Sequence, residues 1–279
     1  MPKVSVIVPT HNGLKYLPET IDSILKQTFQ DFELIIVDNG STDGTDKWVE
    51  SLNNPKIRYH WQEDSGCPAG SRNTGLKLVQ GKFIAFLDAD DVWMPEKLEK
   101  QLKLFENTNV GFVYCGVAYI DENTNSLPDK KKCFYRGNVL RSLLKANVIT
   151  TSTVVIRRKL VEENDFFFRS GRKGTEDWDL WLRLAKITEF DYIDAQLIKY
   201  RIFPDSISRN ADLMFKSAMT TLNDFRKELT NSSNAKNILT AANQGMAHHE
   251  FHYALNLFSR GAIIEAISKL ILAFGHKIS

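Results

Sequence analysis

Apolar residues along the chain follow two rhythms. Short, nearly unbroken runs occur at Val4-Ser5-Val6-Ile7-Val8-Pro9, Glu33-Leu34-Ile35-Ile36-Val37-Asp38, Ile57-Arg58-Tyr59-His60-Trp61 and Phe83-Ile84-Ala85-Phe86-Leu87. They are too short for helices and predict strands buried on both faces of a sheet. Between them Leu14, Leu17, Ile21, Ile24 and Leu25 recur at helical spacing, with Pro18 tolerated early in the helix. Trp48, Val49 and Leu52 mark a short second helix, and another runs from the Gly66–Gly75 segment to about Val79. A fourth spans Pro95 to Phe105, with proline suited to its first turn. Strand and helix in steady alternation imply an α/β fold: a Rossmann-like, mostly parallel sheet flanked by helices.

Past Phe105 the rhythm loosens. Strands are expected at Gly111–Ile120 and Ser152–Ile156, and a last strand or hairpin from Tyr192 to Arg201. Val139–Leu144 reads as helical. The polar segment 121–132, with its run Lys130-Lys131-Lys132, reads as a solvated loop. Thr175 is a suitable N-cap for a helix that opens on Glu176 and Asp177. From about Ala211 the pattern is wholly helical, with a polar break at Asn231-Ser232-Ser233-Asn234. Ile263, Ile264, Ile267, Leu270, Ile271 and Phe274 form an apolar stripe. With Phe251, Ala254, Leu255 and Phe258 they predict a helical hairpin around Gly261. That hairpin packs on the rest of the protein, on a second copy as a homodimer, or on a membrane surface; its few cations weigh against the membrane. The expected division is 1–208, split into halves 1–105 and 106–208, and a helical carboxyl-terminal region 209–279.

The strand ends carry the candidate chemistry. Asn12, Asp38, Asp88 and Asp90 collect at the carboxyl edge of the sheet, where open α/β folds bind ligands. Asp88-Ala89-Asp90-Asp91 sets three carboxylates side by side. Each raises its neighbour's pKa unless a cation compensates, and Mg²⁺ or Mn²⁺ bridging to substrate phosphates is the natural compensation. The alternative is a solvated acidic turn that caps the next helix. Glu176 and Asp177 either stabilise a helix start through its dipole or present a carboxylate base. No Gly-x-Gly-x-x-Gly follows the first strand and no Gly-Lys-Ser/Thr loop occurs. Dinucleotide oxidoreductases and P-loop enzymes therefore lose their main support.

Composition narrows the field further. A formal net charge of +2 gives no basic face for nucleic acid. The three cysteines, Cys67, Cys115 and Cys133, form no Cys-x-x-Cys pair, so neither a disulfide framework nor a zinc site is supported. A reducing cytoplasm is the simplest location. The amino terminus lacks a signal-peptide layout, and no apolar run nears the ~20 residues that span a bilayer. The expectation is a cytoplasmic protein, soluble or peripheral at the cytoplasmic membrane face.

Five stretches in order resemble the inverting, nucleotide-sugar-dependent glycosyltransferases of family 2, with the GT-A fold. They are Val6-Ile7-Val8-Pro9-Thr10-His11-Asn12, Val37-Asp38-Asn39-Gly40-Ser41-Thr42-Asp43-Gly44-Thr45, Ser71-Arg72-Asn73-Thr74-Gly75, Phe86-Leu87-Asp88-Ala89-Asp90-Asp91 and Thr175-Glu176-Asp177-Trp178. The resemblance covers roughly residues 3–208 and leaves the helical appendage outside it. It implies a nucleotide-sugar donor, usually a UDP-sugar, bound through Pro9, Thr10, Asn12, Asp38, Arg72, Asp88, Ala89 and Asp90. Asp38 is implied at the base, Arg72 at base or diphosphate, Asp88 near the ribose, and Asp90, with Asp88, on a divalent cation. Asp177, or else Glu176, is implied as the catalytic base. The acceptor is then a glycan, a lipid-linked sugar or a small molecule. One departure stands out. Relatives carry Tyr-Arg-x-His-x-x-Ser after the last strand, and here Phe203 replaces that His in Tyr200-Arg201-Ile202-Phe203-Pro204-Asp205-Ser206. Phenylalanine cannot bind metal, which keeps open a catalytically silent nucleotide- or glycan-binding module. His11 is given no role.

Overall fold

Strands buried along their whole length organise the structure. The computed structural model describes residues 1–129, 133–229 and 235–278. β1 (Val4–Thr10) and β2 (Phe32–Asn39) are buried at every position, as expected for strands covered on both faces. With β3 (Ile57–Gln62) and β4 (Phe83–Phe86) they form the parallel half of an eight-stranded sheet. Its order is β3-β2-β1-β4-β7-β6-β8-β5. In the second half, β6 (Val110–Ile120) and β8 (Glu189–Arg201) pair in parallel. β7 (Val155–Arg157) runs antiparallel to β4 and β6, and β5 (Val92–Trp93) antiparallel to β8. The result is the expected mixed α/β fold with a mostly parallel sheet.

The helices that join the parallel strands follow the apolar pattern. α1 (Leu17–Leu25) takes Pro18 in its first turn and buries Leu17, Ile21 and Ile24. α2 (Thr45–Ser51) starts after Gly44, whose φ of 90° is left-handed. α3 (Pro68–Leu78) lies so close to β1 that a Cβ at Gly75 would sit 2.5 Å from Ile7 Cγ2. α4 (Lys97–Leu104) follows β5. Two differences from the sequence reading have local causes. β5 is two residues long, below the length at which periodicity signals a strand. Ser152 belongs to a 3₁₀ turn over Thr151–Thr153, with the strand starting only at Val155, because the Ser152 side chain is spent on the loop after β4. β8 is a single strand and not a hairpin, with register shifts against β6 that absorb its length.

Two compact units emerge. The first comprises residues 1–137, 149–168 and 188–203 and holds the whole sheet, together with α6 (Arg158–Glu162). The second comprises 138–148, 169–187 and 204–279. It contains α5 (Leu140–Leu143), α7 (Glu176–Leu184), α8 (Ala211–Glu228), α9 (Ala235–Ser259) and α10 (Ile263–Ile278). Within it α9 and α10 form the expected hairpin, turned at Gly261 with a φ of +78°. The lysine run 130–132 and the polar break 231–234 lie outside the described residues. Among the described residues no helix is long and apolar enough to cross a membrane.

Candidate functional site

Two strand ends of the first unit each finish in a carboxylate, and the chain treats them differently. At the end of β2, Asp38 is fully buried opposite Thr10 of β1. Its Oδ1 accepts the Ser41 backbone N–H at 2.8 Å and its Oδ2 accepts the Tyr59 hydroxyl at 2.6 Å. Burial, and then the bond to Asp38, drive the Tyr59 phenol upward. The loop after Asp38 is laced to the loop after β1. Asn12, itself left-handed at a φ of 48°, donates its N–H to Ser41 Oγ and accepts the Thr42 N–H, both at 2.8 Å. Asp43 accepts the Leu14 N–H at 2.9 Å. His11 Nδ1 lies 2.8 Å from the Asn39 carbonyl, which gives this histidine a structural contact. Pro9 is buried in β1, and Thr10 Oγ1 is buried with no hydrogen-bond partner among the described residues. A Cβ at Gly13 would fall 2.6 Å from that oxygen, so glycine keeps the space in front of it open.

At the end of β4 three carboxylates crowd one turn. Asp88 Oδ1 pairs with Arg72 Nη2 of α3 at 2.6 Å. Arg72 is buried and lies 5.5 Å from the Phe168 ring centroid, a packing that fixes its plane. Asp91 is wholly buried and structural: Ser152 Oγ donates to its Oδ2, and the Arg201 N–H donates to its Oδ1 at 2.9 Å. The same Ser152 oxygen accepts the Asp88 N–H, and Arg201 Nε donates to the Asp90 carbonyl at 2.9 Å. Thr20 of α1 donates to the carbonyls of Ala89 and Asp91. Asp91 and the carbonyls of Ala89, Asp90 and Asp91 are thus hydrogen-bonded, while the Asp90 carboxyl meets its own backbone N–H and the Asp88 charge. Burial, reinforced by the Asp88 charge, pushes the Asp90 carboxyl up to about 7. Burial, then the charges of Asp90 and Asp88, push Asp91 well above the usual range. Arg72 and Arg201 relieve only part of this crowding, and two partly buried carboxylates on one turn offer the hard oxygen donors that a divalent cation shares with substrate phosphates, so the residues present fit one.

Asp88, Ala89, Asp90, Arg72, Asp38, Asn12, Thr10 and Pro9 all belong to the first unit. Glu176 and Asp177 open α7 of the second. Glu176 is buried and its Oε2 accepts the Gly174 N–H at 2.7 Å. Asp177 is half-exposed, accepts the Trp178 N–H at 2.6 Å and stands 3.4 Å from Asn147 Nδ2. Thr175 holds the N-cap position, yet its hydroxyl bonds Ser217 and Thr221 of α8 and does not cap the helix. Trp178 is locked by its Nε1–H to the Leu143 carbonyl at 2.8 Å and by His249, 5.4 Å between ring centroids. The Phe203 ring packs tilted against Tyr16, 5.2 Å between centroids.

Tyr59, Ser152 and Arg201 escaped the sequence reading as holders of this site. Only strand register brings Tyr59 beside Asp38, and Ser152 and Arg201 reach the carboxylates across 61 and 110 residues. A cleft of ≈ 490 Å³ lined by Lys3, Lys82, Arg157 and Arg158 lies at the other end of β4 from Asp88 and takes no part in this chemistry.

Residues 5–164 match the family described as glycosyl transferase family 2. The UDP-Glc:alpha-D-GlcNAc-diphosphoundecaprenol beta-1,3-glucosyltransferase WfgD of Escherichia coli is 36% identical over 228 residues, spanning 80% of this chain and 86% of its own. An uncharacterized glycosyltransferase of Rickettsia felis is 36% identical over 201 residues, 72% of this chain, but the match spans only 33% of that protein's length. In fold the chain is similar to S. aureus TarS 1–349 in complex with UDP-GlcNAc (TM-score 0.76, 22% identity, 99% of this chain and 80% of that one). It is also similar to the mannosyltransferase PcManGT of Pyrobaculum calidifontis in complex with GDP-Man and Mn²⁺ (TM-score 0.65, 18% identity, 99% and 87%).

Proposed function

The chain belongs to glycosyl transferase family 2, and on that premise we propose that it moves one sugar from a UDP-sugar to an acceptor hydroxyl with inversion at the anomeric carbon. The observation that carries this reading is the pair Asp88 and Asp90, crowded at the end of a buried strand with Arg72 ion-paired to Asp88 and the Asp90 carboxyl raised by burial and by Asp88. Asp90, assisted by Asp88, would hold Mg²⁺ or Mn²⁺. The bound ion would supply Lewis-acid stabilisation of the leaving diphosphate.

The remaining work falls to side chains. Arg72, already oriented by Asp88 and Phe168, supplies positive charge toward the diphosphate. Asp38, Asn12 and the backbone of the loop they fix shape the place of the base, with Pro9, Thr10 and Ala89 beside it. The acceptor hydroxyl attacks C1, the bond from C1 to the diphosphate oxygen breaks, and the hydroxyl proton passes to a carboxylate base. Asp177 suits that role better than Glu176, because Glu176 is buried against its own helix start. One base and one displacement give inversion. For the acceptor, a lipid-linked glycan is favoured, since WfgD, 36% identical, is by its name a transferase acting on GlcNAc-diphosphoundecaprenol. Such an acceptor places the protein in the cytoplasm or at the cytoplasmic membrane face.

Calorimetric titration with UDP, with and without Mn²⁺, tests the reading. Binding that tightens with Mn²⁺ and fails in Asp90→Ala is the expected result, followed by transfer from a UDP-sugar. UDP binding without turnover on any donor would favour the silent module, with Phe203 as its cause. No binding of UDP in either condition overturns the donor assignment.

A further inference from the structure

The outer face of the α9–α10 hairpin is apolar and has no partner among the described residues of its own unit. α10 turns Ala266 and Ala273 inward and leaves Ile263, Ile264, Ile267, Ile271, Leu272 and Phe274 between 46% and 88% exposed. α9 adds Phe251, Leu255 and Phe258, from 38% to 48% exposed. Side chains of this size, half open, each present on the order of 100 Å². Together they exceed the few hundred Å² that a soluble monomer ordinarily leaves bare. They also reach the roughly 800 Å² per partner of a standard stable interface.

Spacing and charge choose the occupant. Ile264, Ile267, Ile271 and Phe274 alternate steps of three and four, the seam of two packed helices. A helix that lies on a bilayer carries a rim of free cations and interfacial tryptophan or tyrosine. Among the described side chains, the cations beside the stripe are engaged within the unit. Arg260 bonds Asp212 at 2.8 Å, and Lys269 Nζ lies 4.8 Å from the Phe215 ring centroid. The exposed stripe contains no tryptophan or tyrosine. We propose that this face is a self-association surface, on which the α9–α10 hairpins of two copies pack about a two-fold axis. An isologous contact of this kind closes on itself and needs only one patch per chain. The inference stands apart from the donor and acceptor assignments.

Sedimentation velocity on the full chain at micromolar concentration, beside the double variant Ile267→Glu/Ile271→Glu, decides it. Wild type is expected at twice the chain mass. The double variant is expected to associate at least about 100-fold more weakly, because unpaired charges would be buried at the seam. Circular dichroism and UDP binding should stay those of wild type, since both side chains are already solvent-facing. If the double variant loses helicity, Ile264→Glu, at the 88% exposed position, takes its place with the same expectation. A wild-type monomer up to about 100 µM overturns the proposal. So does a variant that dimerises as tightly as wild type, or a monomer that pellets with phosphatidylglycerol–phosphatidylethanolamine vesicles.

Discussion

Asp38 and Asp90 look alike in the sequence, each a carboxylate just beyond a buried apolar run, yet their surroundings are opposite. Around Asp38 the fold supplies a phenol and a backbone N–H, and the charge is spent on holding a loop. Around Asp90 the fold supplies two more carboxylates and satisfies Asp91, and for the Asp90 side chain burial and the Asp88 charge outweigh the nearby Arg201 and Arg72. A satisfied buried acid stabilises the structure. An unsatisfied one costs stability, and such a cost persists where a ligand relieves it. On the proposed reading, the difference separates a positioning carboxylate from a binding one, although both sit on the same edge of the sheet.

The largest effect should come from removing the Asp90 carboxylate. Asp90→Asn is expected to weaken Mn²⁺-dependent UDP binding at least about 100-fold, the several kcal/mol that a metal contact to a diphosphate is worth. The folded state should be no less stable, because a like charge beside Asp88 disappears. Titration calorimetry and thermal melting on the same preparation check both halves, and full retained affinity would sink the metal assignment. Asp38→Ala should do the reverse. It strands the Ser41 N–H and the Tyr59 hydroxyl, an expected loss of about 2–4 kcal/mol in urea unfolding. A variant as stable as wild type would show that Asn12 and Asp43 alone hold the loop.

How far the sequence reached follows the same line. Runs such as Ile35-Ile36-Val37 and Phe83–Leu87 announced their strands, because burial on both faces leaves no other pattern. The acids at their ends point to the ligand edge that the proposed function uses. What stayed hidden was which acid is held by hydrogen bonds, since the partners Tyr59, Ser152 and Arg201 arrive through register and not through spacing. β5 was hidden for another reason, its two residues being too few to show a period. Thr175 misled because a good capping residue found hydroxyl partners on α8 instead.

A smaller effect separates the two carboxylates by pH. The Asp90 carboxyl is raised from its ordinary value to about 7 by burial and by Asp88. Between those values the folded chain binds more protons than the unfolded one, so without metal its stability should fall as pH rises from about 4 to 7. Asp90 is only partly buried, and solvent screening should hold the loss to about 1–2 kcal/mol. Urea midpoints across that range, with and without Mn²⁺, measure it. Mn²⁺ should flatten the slope, and so should Asp90→Asn. A slope unchanged by either would place its origin outside this pair.

The smallest expected effect refines the satisfied side. Tyr59→Phe keeps the ring and removes one of the two donors that Asp38 accepts. Tyr59 is only half-buried, so water can replace the lost hydroxyl, and the cost should be about 1 kcal/mol in urea unfolding. UDP affinity should drop only a few-fold, because the Ser41 N–H still fixes one Asp38 oxygen. A loss as large as that of Asp38→Ala would mean that the phenol, and not the carboxylate, orients the loop. The contrast between a hydrogen-bonded acid and a crowded one would then give way to one between two side chains on β2 and β3.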